Sequence, residues 1–561
     1  MYIGIDVGGT FTDAVLIDKD RVISKTKFPT VHDNLLLSLL EALDRVTDQV
    51  DNSLIERVVI STTLITNLIV QNKYEPVALV LEPGPGLNPR DYPFKEDTFI
   101  IDGAIDYRGR QIIPLDKRQL DLTISEIKKK GYRKAAIVGK FSGRNNAHEI
   151  EVGNIFNRAG IITELGHKVS GRLNFLRRAA TTMLTVATRD EHVKFVDTVN
   201  KAFRDRQITA PIFILKADGG TLSLEDSKKA PVETVFSGPA ASTLGAMALS
   251  PEGEDTVVMD IGGTTTDLAL ILSGKPVLAS KGATVKGYYT SITSYAVRSV
   301  PVGGDTAVAV KGNDIDLLYE RKGPAYCFGG PYPTPTDALL VLGYYSHGNV
   351  EAAKEGLVKL AEPLGCDVKT VAQKILDKFS QSITGAIEDM FLSWEQEPAY
   401  RVWELLHPTQ IRPQNIIGVG GAAPGITQAV ARLINCTPVI PEHAEVANAI
   451  GAAVAQPTLK ATLRIDTGEG LYTVEENGNQ GSVSKFSSFR EEDAVRLAKE
   501  QLLKMADDLH VPVDTGSVEV THSEVFNVIR GFTTTGRIYH VTVQTPRKIL
   551  TRLYKQGGQD A

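Results

Sequence analysis

The sequence predicts an α/β protein of two related lobes with a small α+β unit behind them. Three observations lead there. The string D-x-G-G-T-x-T-D stands at residues 6–13 and again at 260–267, each time between apolar, strand-like runs. Around both copies, short apolar runs alternate with helical-period segments and Gly/Pro turns, as in an α/β domain. Past Pro457 that alternation gives way to a few longer strand-like runs and one helix-like segment. At roughly 150 residues per domain, 561 residues allow three or four units. The expected bounds are 1–245 for the first lobe, 246–456 for the second and 457–561 for the appendage.

Along the chain, residues 1–31 read as a meander: strand, Gly-rich turn, strand, a polar turn at Lys19-Asp20, and a third strand from Arg21 to Phe28. Residues 34–43 carry apolar side chains at helical spacing. Residues 58–61, 77–81, 135–138 and 211–215 are strand-like, the last followed by the turn Asp218-Gly219-Gly220. The second copy opens near Val257. A Gly/Pro-rich stretch from Gly303 to Gly343 is too long and apolar for a casual linker, and such ordered loops are often functional. Helices are expected over 350–364 and 368–407, then strand, Gly turn and helix in "NIIGVGGAAPGITQAVARLI". In the appendage, 461–472, 518–528 and 536–543 read as strands, 491–509 as a helix, and the basic end at Arg547, Lys548, Arg552 and Lys555 as a solvated tail.

Composition narrows the function. A net charge of −6 and a pI near 6.0 give no broad basic field, which argues against nucleic acid or an anionic membrane as main partner. Cys327, Cys366 and Cys436 are too few and scattered for a disulfide framework, and no Cys/His spacing marks a zinc site. No basic leader precedes an apolar run at the start, and no uncharged apolar run approaches about 18 residues, so a cytoplasmic protein is expected.

The repeated string carries the chemistry. Glycines allow backbone N–H groups to approach an anion closely, successive amides can form a nest for phosphate oxygens, and the threonine hydroxyls can add donors. A carboxylate at the strand end faces phosphate usefully only across a cation. Mg²⁺, which takes one or two carboxylates and keeps several waters, suits Asp6 and Asp260. One D-G-G hairpin is common without any ligand; two at matching internal spacing imply related halves with phosphates held in the cleft between them. Neither copy is a P-loop or a Rossmann fingerprint, because a strand and not a helix follows the turn. "GVGGAAPG" at 418–425 lies at a strand-to-helix junction, where a close backbone suits an adenine or ribose.

Duplicated phosphate hairpins, a late Gly-Gly turn and the small-residue run "ANAIGAA" at 447–453 resemble the actin, sugar-kinase and heat-shock-chaperone ATPase superfamily. More narrowly, residues 1–455 resemble the hydantoinase A and 5-oxoprolinase family. The resemblance rests on "GIDVGGTFTD", "STTLITN" at 61–67, "NNAHE" at 145–149, "KADGGTLSLEDSKKAPVETVFSGPAAS" at 216–242, "DIGGTTTD" and "GPAYCFGG…PTPTDALLVLG". It departs from the family pattern at Ile60-Ser61 before Thr62-Thr63, at Asn145-Asn146, and in the Tyr-Cys order of "GPAYCFGG".

The resemblance implies two actin-like (ribonuclease H-like) lobes and an ATP-dependent enzyme that phosphorylates the carbonyl oxygen of a small cyclic amide such as hydantoin, a lactam or 5-oxoproline. It also implies a second site on a separate hydantoinase B-type subunit, or else a homo-oligomer. On that reading Asp6 and Asp260 organise Mg²⁺. Gly8, Gly9, Thr10 and Thr12 hold one side of the ATP phosphates, and Gly262, Gly263, Thr264 and Thr265 the other. Gly420 and Gly421 approach the adenosine, and Asp13 and Asp267 either support the site or orient a nucleophile. His148-Glu149 reads as a helix-start hydrogen-bonding pair ahead of a substrate contact, Asp305 as a residue near the cleft, and Cys327 as no nucleophile. Two rival readings are the ATP-using subunit of a ketone carboxylase and an ATP-driven reactivating or chaperone-like protein.

Overall fold

Residues 1–29 form the expected meander. β1 (Tyr2–Val7), β2 (Phe11–Asp18) and β3 (Arg21–Pro29) are antiparallel neighbours. Ile3, Ile5, Ala14 and Leu16 lie in one core with Leu39 and Leu43 of α1 (Leu35–Thr47), whose Asn34 cap accepts from the Leu37 N–H. β4 (Arg57–Thr62) runs parallel to β1. The chain then builds a separate parallel sheet from β5 (Val77–Glu82), β6 (Thr98–Ile100), β7 (Lys134–Gly139) and, after α2 (Ala147–Arg158), β8 (Ile162–Leu165), in the order β8-β7-β5-β6. The long helix α3 (Phe175–Asp205) leads back to β9 (Ile212–Leu215) and β10 (Thr221–Ser223). These complete the first sheet as β10-β9-β4-β1-β2-β3. The computed structural model describes residues 1–554 apart from 32–33, 49, 95–96, 252, 397–411, 484–487, 510 and 512.

Helix α4 (Ser237–Ala248) carries the chain into the second lobe. There β11 (Thr256–Ile261) and β12 (Thr266–Leu272) form the second hairpin, and β13 (Val297–Val300) lies antiparallel to β12. The Gly303–Gly343 stretch holds a β-hairpin and a short helix. It is pinned by Asp337, whose carboxylate accepts from the N–H groups of Tyr326 (3.0 Å), Cys327 (2.7 Å) and Thr334 (2.9 Å). α5 (Val350–Leu364) and α6 (Val368–Glu395) follow; the part of the expected second helix from 397 to 407 lies outside the described residues. β14 (Asn415–Val419) pairs parallel with β11, and after α7 (Ala423–Ile434), β15 (Thr437–Val439) pairs parallel with β14. Both lobes therefore repeat one plan, an antiparallel hairpin with a parallel strand on the inner side of its first strand: β2-β1-β4 and β12-β11-β14. This duplicated α/β plan is the one the repeated string predicts.

The lobes meet on α4 and α8 (Ala447–Val454). The approach is too close for side chains: a Cβ on Gly451 would stand 1.8 Å from the Ala241 carbonyl oxygen, and one on Gly4 would stand 2.0 Å from that of Ala449. The small-residue run is thus a packing requirement of this seam.

The appendage is a five-stranded sheet of β16 (Lys460–Asp466), β17 (Leu471–Val474), β18 (Gln480–Ser482), β19 (Glu519–Arg530) and β20 (Thr533–Gln544), ordered β18-β17-β16-β20-β19. Helix α9 (Glu491–Asp508) packs Ala494, Ala498 and Leu502 against Leu463, Tyr539 and Val541 on one face. The expected single run over 461–472 is two strands, because the Asp466 carboxylate turns the chain by accepting from the Gly468 and Glu469 N–H groups.

The basic end corrects its reading as a solvated tail. Arg552 donates to the carbonyls of Met247 (2.7 Å) and Ser250 (3.0 Å) at the end of α4, and Ile549 and Leu553 pack on the interlobe core. A helix C-terminus offers unsatisfied carbonyls and a negative dipole end, which an arginine meets on both counts. Lys555 lies outside the described residues.

Candidate active site

Each repeated string is a strand end, a turn and a strand start in matching register. Asp6 stands opposite Asp13 across β1 and β2, and Asp260 opposite Asp267 across β11 and β12. The turns close alike: the Gly8 N–H donates to the Phe11 carbonyl at 3.1 Å, and the Gly262 N–H to that of Thr265 at 3.0 Å. Residues 303–305 brace the second turn, with the Gly304 N–H on Gly262 O (2.9 Å) and the Asp305 N–H on Gly263 O (2.7 Å).

The two hairpins approach tip to tip. A Cβ on Gly263 would lie 3.6 Å from Cγ2 of Thr10 and 2.9 Å from Oδ2 of Asp305. Asp305 therefore does lie at the cleft, where it is paired with Arg321 at 3.1 Å. Gly9 faces open space.

Between the hairpins, the two strand-end carboxylates share one donor. Nδ2 of Asn448, at the start of α8, lies 3.3 Å from Oδ2 of Asp6 and 3.2 Å from Oδ2 of Asp260. Oδ1 of Asp6 is buried and has no hydrogen-bond partner among the described residues. Burial pushes the Asp6 carboxyl up to about 7 against the pull of Ser61 and Asn448, and it raises Asp260 as well, against Asn448, Lys27 and Ser242. Two acids 254 positions apart in the chain are thus brought together on one amide, both with their charge disfavoured by burial.

The flanking acids differ from them. Both oxygens of Asp13 accept from Nζ of Lys27 at 2.8 Å. Asp267 is pushed up to about 6 by burial, with Ser299 opposing. Thr10 is half-buried, Thr264 is exposed and Thr265 is half-buried, all within the turns. Thr12 stands apart: it is buried, and its hydroxyl is bonded to that of Thr30 at 2.9 Å. Its counterpart Thr266 is likewise buried and donates to the Val302 carbonyl. Gly420, at φ +90°, sets its turn against the end of β11, where a Cβ would lie 2.4 Å from the Ile261 oxygen; Gly421 beside it faces open space.

Four residues of this site escaped sequence reasoning. Asn448 and Ser242 lie inside quoted motifs, and Asn448 is the only polar side chain of α8, a signal open to reading. Ser61, opposite Asp6 on β4, bonds Ser237 at the start of α4 (3.1 Å), so two motifs 176 positions apart meet here. Lys27 on β3 has no sequence signature.

Other singled-out residues lie in supporting roles. Nδ1 of His148 pairs with Glu82 at 2.5 Å, while Glu149 accepts from the N–H groups of Gly139 and His167 (2.8 Å each) and pairs with the His167 ring. The pair at the start of α2 thus bonds outward to neighbouring elements. Cys327 is buried, and its thiol is pushed up to about 12 by burial and by Asp337, so it is no thiolate. Among the described residues no helix is long and apolar enough to cross a membrane.

Comparison with known proteins agrees with this architecture. The hydantoinase/oxoprolinase model matches residues 178–461, and the hydantoinase/oxoprolinase N-terminal region matches residues 2–160. An uncharacterized protein of Methanocaldococcus jannaschii is 24% identical over 92% of this chain and 81% of its own length. Caprolactamase subunit alpha of Pseudomonas jessenii is 25% identical over 75% of the chain, and the match spans 65% of that subunit, just under two thirds of its length. Among solved structures, nucleotide-free acetone carboxylase superposes with a TM-score of 0.72 at 17% identity, over 98% of this chain and 88% of that one. The ATP-dependent caprolactamase of Pseudomonas jessenii gives 0.70 at 19%, over 97% and 87%. At these identities the structures speak for the fold, and the family models, which together cover most of residues 2–461, carry the assignment: the chain belongs to the hydantoinase/oxoprolinase family.

Proposed function

We propose that this protein is the ATP-using subunit of a cyclic-amide hydrolase, which phosphorylates the carbonyl oxygen of a small lactam, hydantoin or 5-oxoproline-like ring. The observation that carries the reading is the pair of D-x-G-G hairpins held tip to tip, with Asp6 and Asp260 joined through Asn448. The caprolactamase relative, itself named as a subunit, supports the substrate class and the need for a partner subunit.

Mg²⁺ fits the residues present, since Asp6 offers a buried, unpartnered oxygen and burial disfavours its charge without a cation nearby. Asp6 and Asp260 would hold it, and when bound it would neutralise phosphate charge. The turn amides around Gly8, Gly9, Gly262 and Gly263, with the hydroxyls of Thr10, Thr264 and Thr265, cradle the ATP phosphates from two sides. Gly421, more than the packed Gly420, is left to approach the adenosine, and Thr12 supports the hairpin from inside. Asp13, neutralised by Lys27, stiffens the first hairpin, and Asp267 supports the second. The amide oxygen attacks the γ-phosphorus, the bond to the bridging oxygen breaks, and ADP leaves with that electron pair. Positioning and charge neutralisation supply most of the rate. Attack of water at the activated carbon, with loss of phosphate and opening of the C–N bond, falls to the partner subunit.

A second reading is the ATP-using subunit of a ketone carboxylase, favoured by the acetophenone carboxylase gamma subunit of Aromatoleum aromaticum, 25% identical over 69% of the chain. One experiment separates the two: ADP release by the purified chain with Mg²⁺-ATP, alone and with a panel of rings, ketones and bicarbonate. Stimulation by one ring, lost in Asp6→Ala and Asp260→Ala, establishes the first reading. Stimulation that needs a ketone and bicarbonate selects the second, and absence of ATP binding overturns both.

A further inference from the structure

The polar face of the appendage sheet carries a second group of metal-competent side chains, on strands that contribute nothing to the hairpin cleft. β19 reads His522-Ser523-Glu524, and the two-residue period of a strand puts His522 and Glu524 on one face. The register of β19 with β20 places Glu524 directly opposite His540. The neighbours of His540 on β20, Tyr539 and Val541, point the other way into the core under α9. The donor atoms of His522, Glu524 and His540 all lie within 4.8 Å of one another, and the two rings stand edge to face at 5.4 Å. Oε1 of Glu475 lies 3.4 Å from Nε2 of His540. Arg464, beside His540 on β16, is paired with Asp466, while Arg144 and Arg172 act on Glu475 and, with His540, hold it ionised against its burial.

We propose that His522, Glu524 and His540, with Glu475 closing the set beside His540, bind one zinc-class divalent ion. Two imidazoles and a carboxylate select Zn²⁺, Co²⁺ or Ni²⁺ over Mg²⁺ and Ca²⁺, which take oxygen donors. Metal–ligand bonds of about 2.0–2.2 Å require these donors to draw together slightly. The side chains have that freedom, with His522, Glu524 and His540 being 36%, 52% and 34% exposed. The backbone does not need to move, because ladder hydrogen bonds already fix β19 against β20. The ion would clamp the edge strand β19 to β20, with the four side chains filling a tetrahedral set. It would stabilise the appendage by mass action, since the unfolded chain holds no such set.

The test uses the full chain, stripped with EDTA, dialysed, and kept in excess Mg²⁺ so that the cleft carboxylates are already supplied. Zn²⁺ is titrated by calorimetry and Co²⁺ by its visible absorption. The expected result is one equivalent per chain, lost in both His522→Ala and His540→Ala and weakened at least about tenfold in Glu524→Gln. His347→Ala, at an exposed loop position, should bind as the parent does. Melting of each stripped variant at the parent temperature shows that the loss is one of ligands and not of fold, and Zn²⁺ should raise the melting temperature of the parent alone. No binding above the Mg²⁺ background, or an equivalent that survives both histidine variants, overturns the site.

Discussion

Asn448 is where the two halves of the candidate site touch, since one amide nitrogen serves Asp6 and Asp260 together. Hydrogen bonds to charged groups contribute about 1.5–3 kcal/mol, so Asn448→Ala should cut kcat/KM for ATP by roughly ten- to a hundredfold with the fold retained. Asn448→Asp, adding a third acid, should be worse, and steady-state ADP release with circular dichroism checks both. Asp6 yields a prediction in pH. Its carboxyl titrates at about 7 in the fold against 3.8 ordinarily, so the unfolded chain ionises first as pH rises. Stability of the ligand-free protein from this group is therefore fully present below about pH 4 and lost progressively up to about pH 7, by at most about 4 kcal/mol. Asp6→Asn should flatten that slope and melt higher than the parent at pH 8 while losing ATP turnover. A variant that melts lower at pH 8 would refute the assignment of burial as the dominant cause.

At the scale of elements, the α4–α8 seam is the least forgiving part of the chain. A Cβ on Gly451 would stand 1.8 Å from the Ala241 carbonyl oxygen, and backbone cannot retreat from both sides of a packed helix pair. Gly451→Val should therefore cost more than about 3 kcal/mol and leave little soluble protein, visible in expression yield and melting temperature. The elements themselves were largely legible. The meander, helices 350–364 and 491–508, and both hairpins followed from period and turn residues, because these are local signals. Two readings failed for different reasons. The appendage run over 461–472 was broken by an Asx turn at Asp466, a local signal outweighed by the β-rich run around it, whereas the basic tail was docked by carbonyls at the end of α4, more than 300 positions away, which no local signal could announce.

For the whole molecule, that docked tail is a tie between the appendage and the interlobe seam. Arg552 caps α4, and the Leu550 and Leu553 N–H groups donate to the Val454 and Ala248 carbonyls at 2.8 Å each. Arg552→Ala should lower unfolding free energy by about 1–2 kcal/mol and leave ADP release at the parental rate, read by denaturant titration alongside turnover. Equal loss of turnover would mean that the tie also sets the relation of the lobes.

By itself the sequence determined that there are two matched hairpins and which family they resemble, and it supplied the glycines and acids on which the proposed phosphate and divalent-ion roles rest. Those are properties of residue type and spacing along the chain. Only the tertiary structure decided which threonines lie open on the turns and which are buried, that Asn448 joins the two acids, and that strands 520–544 gather two histidines and a glutamate. Such facts depend on register and on contacts between distant segments, and the burial that raises Asp6 and Asp260 exists only once both lobes enclose them.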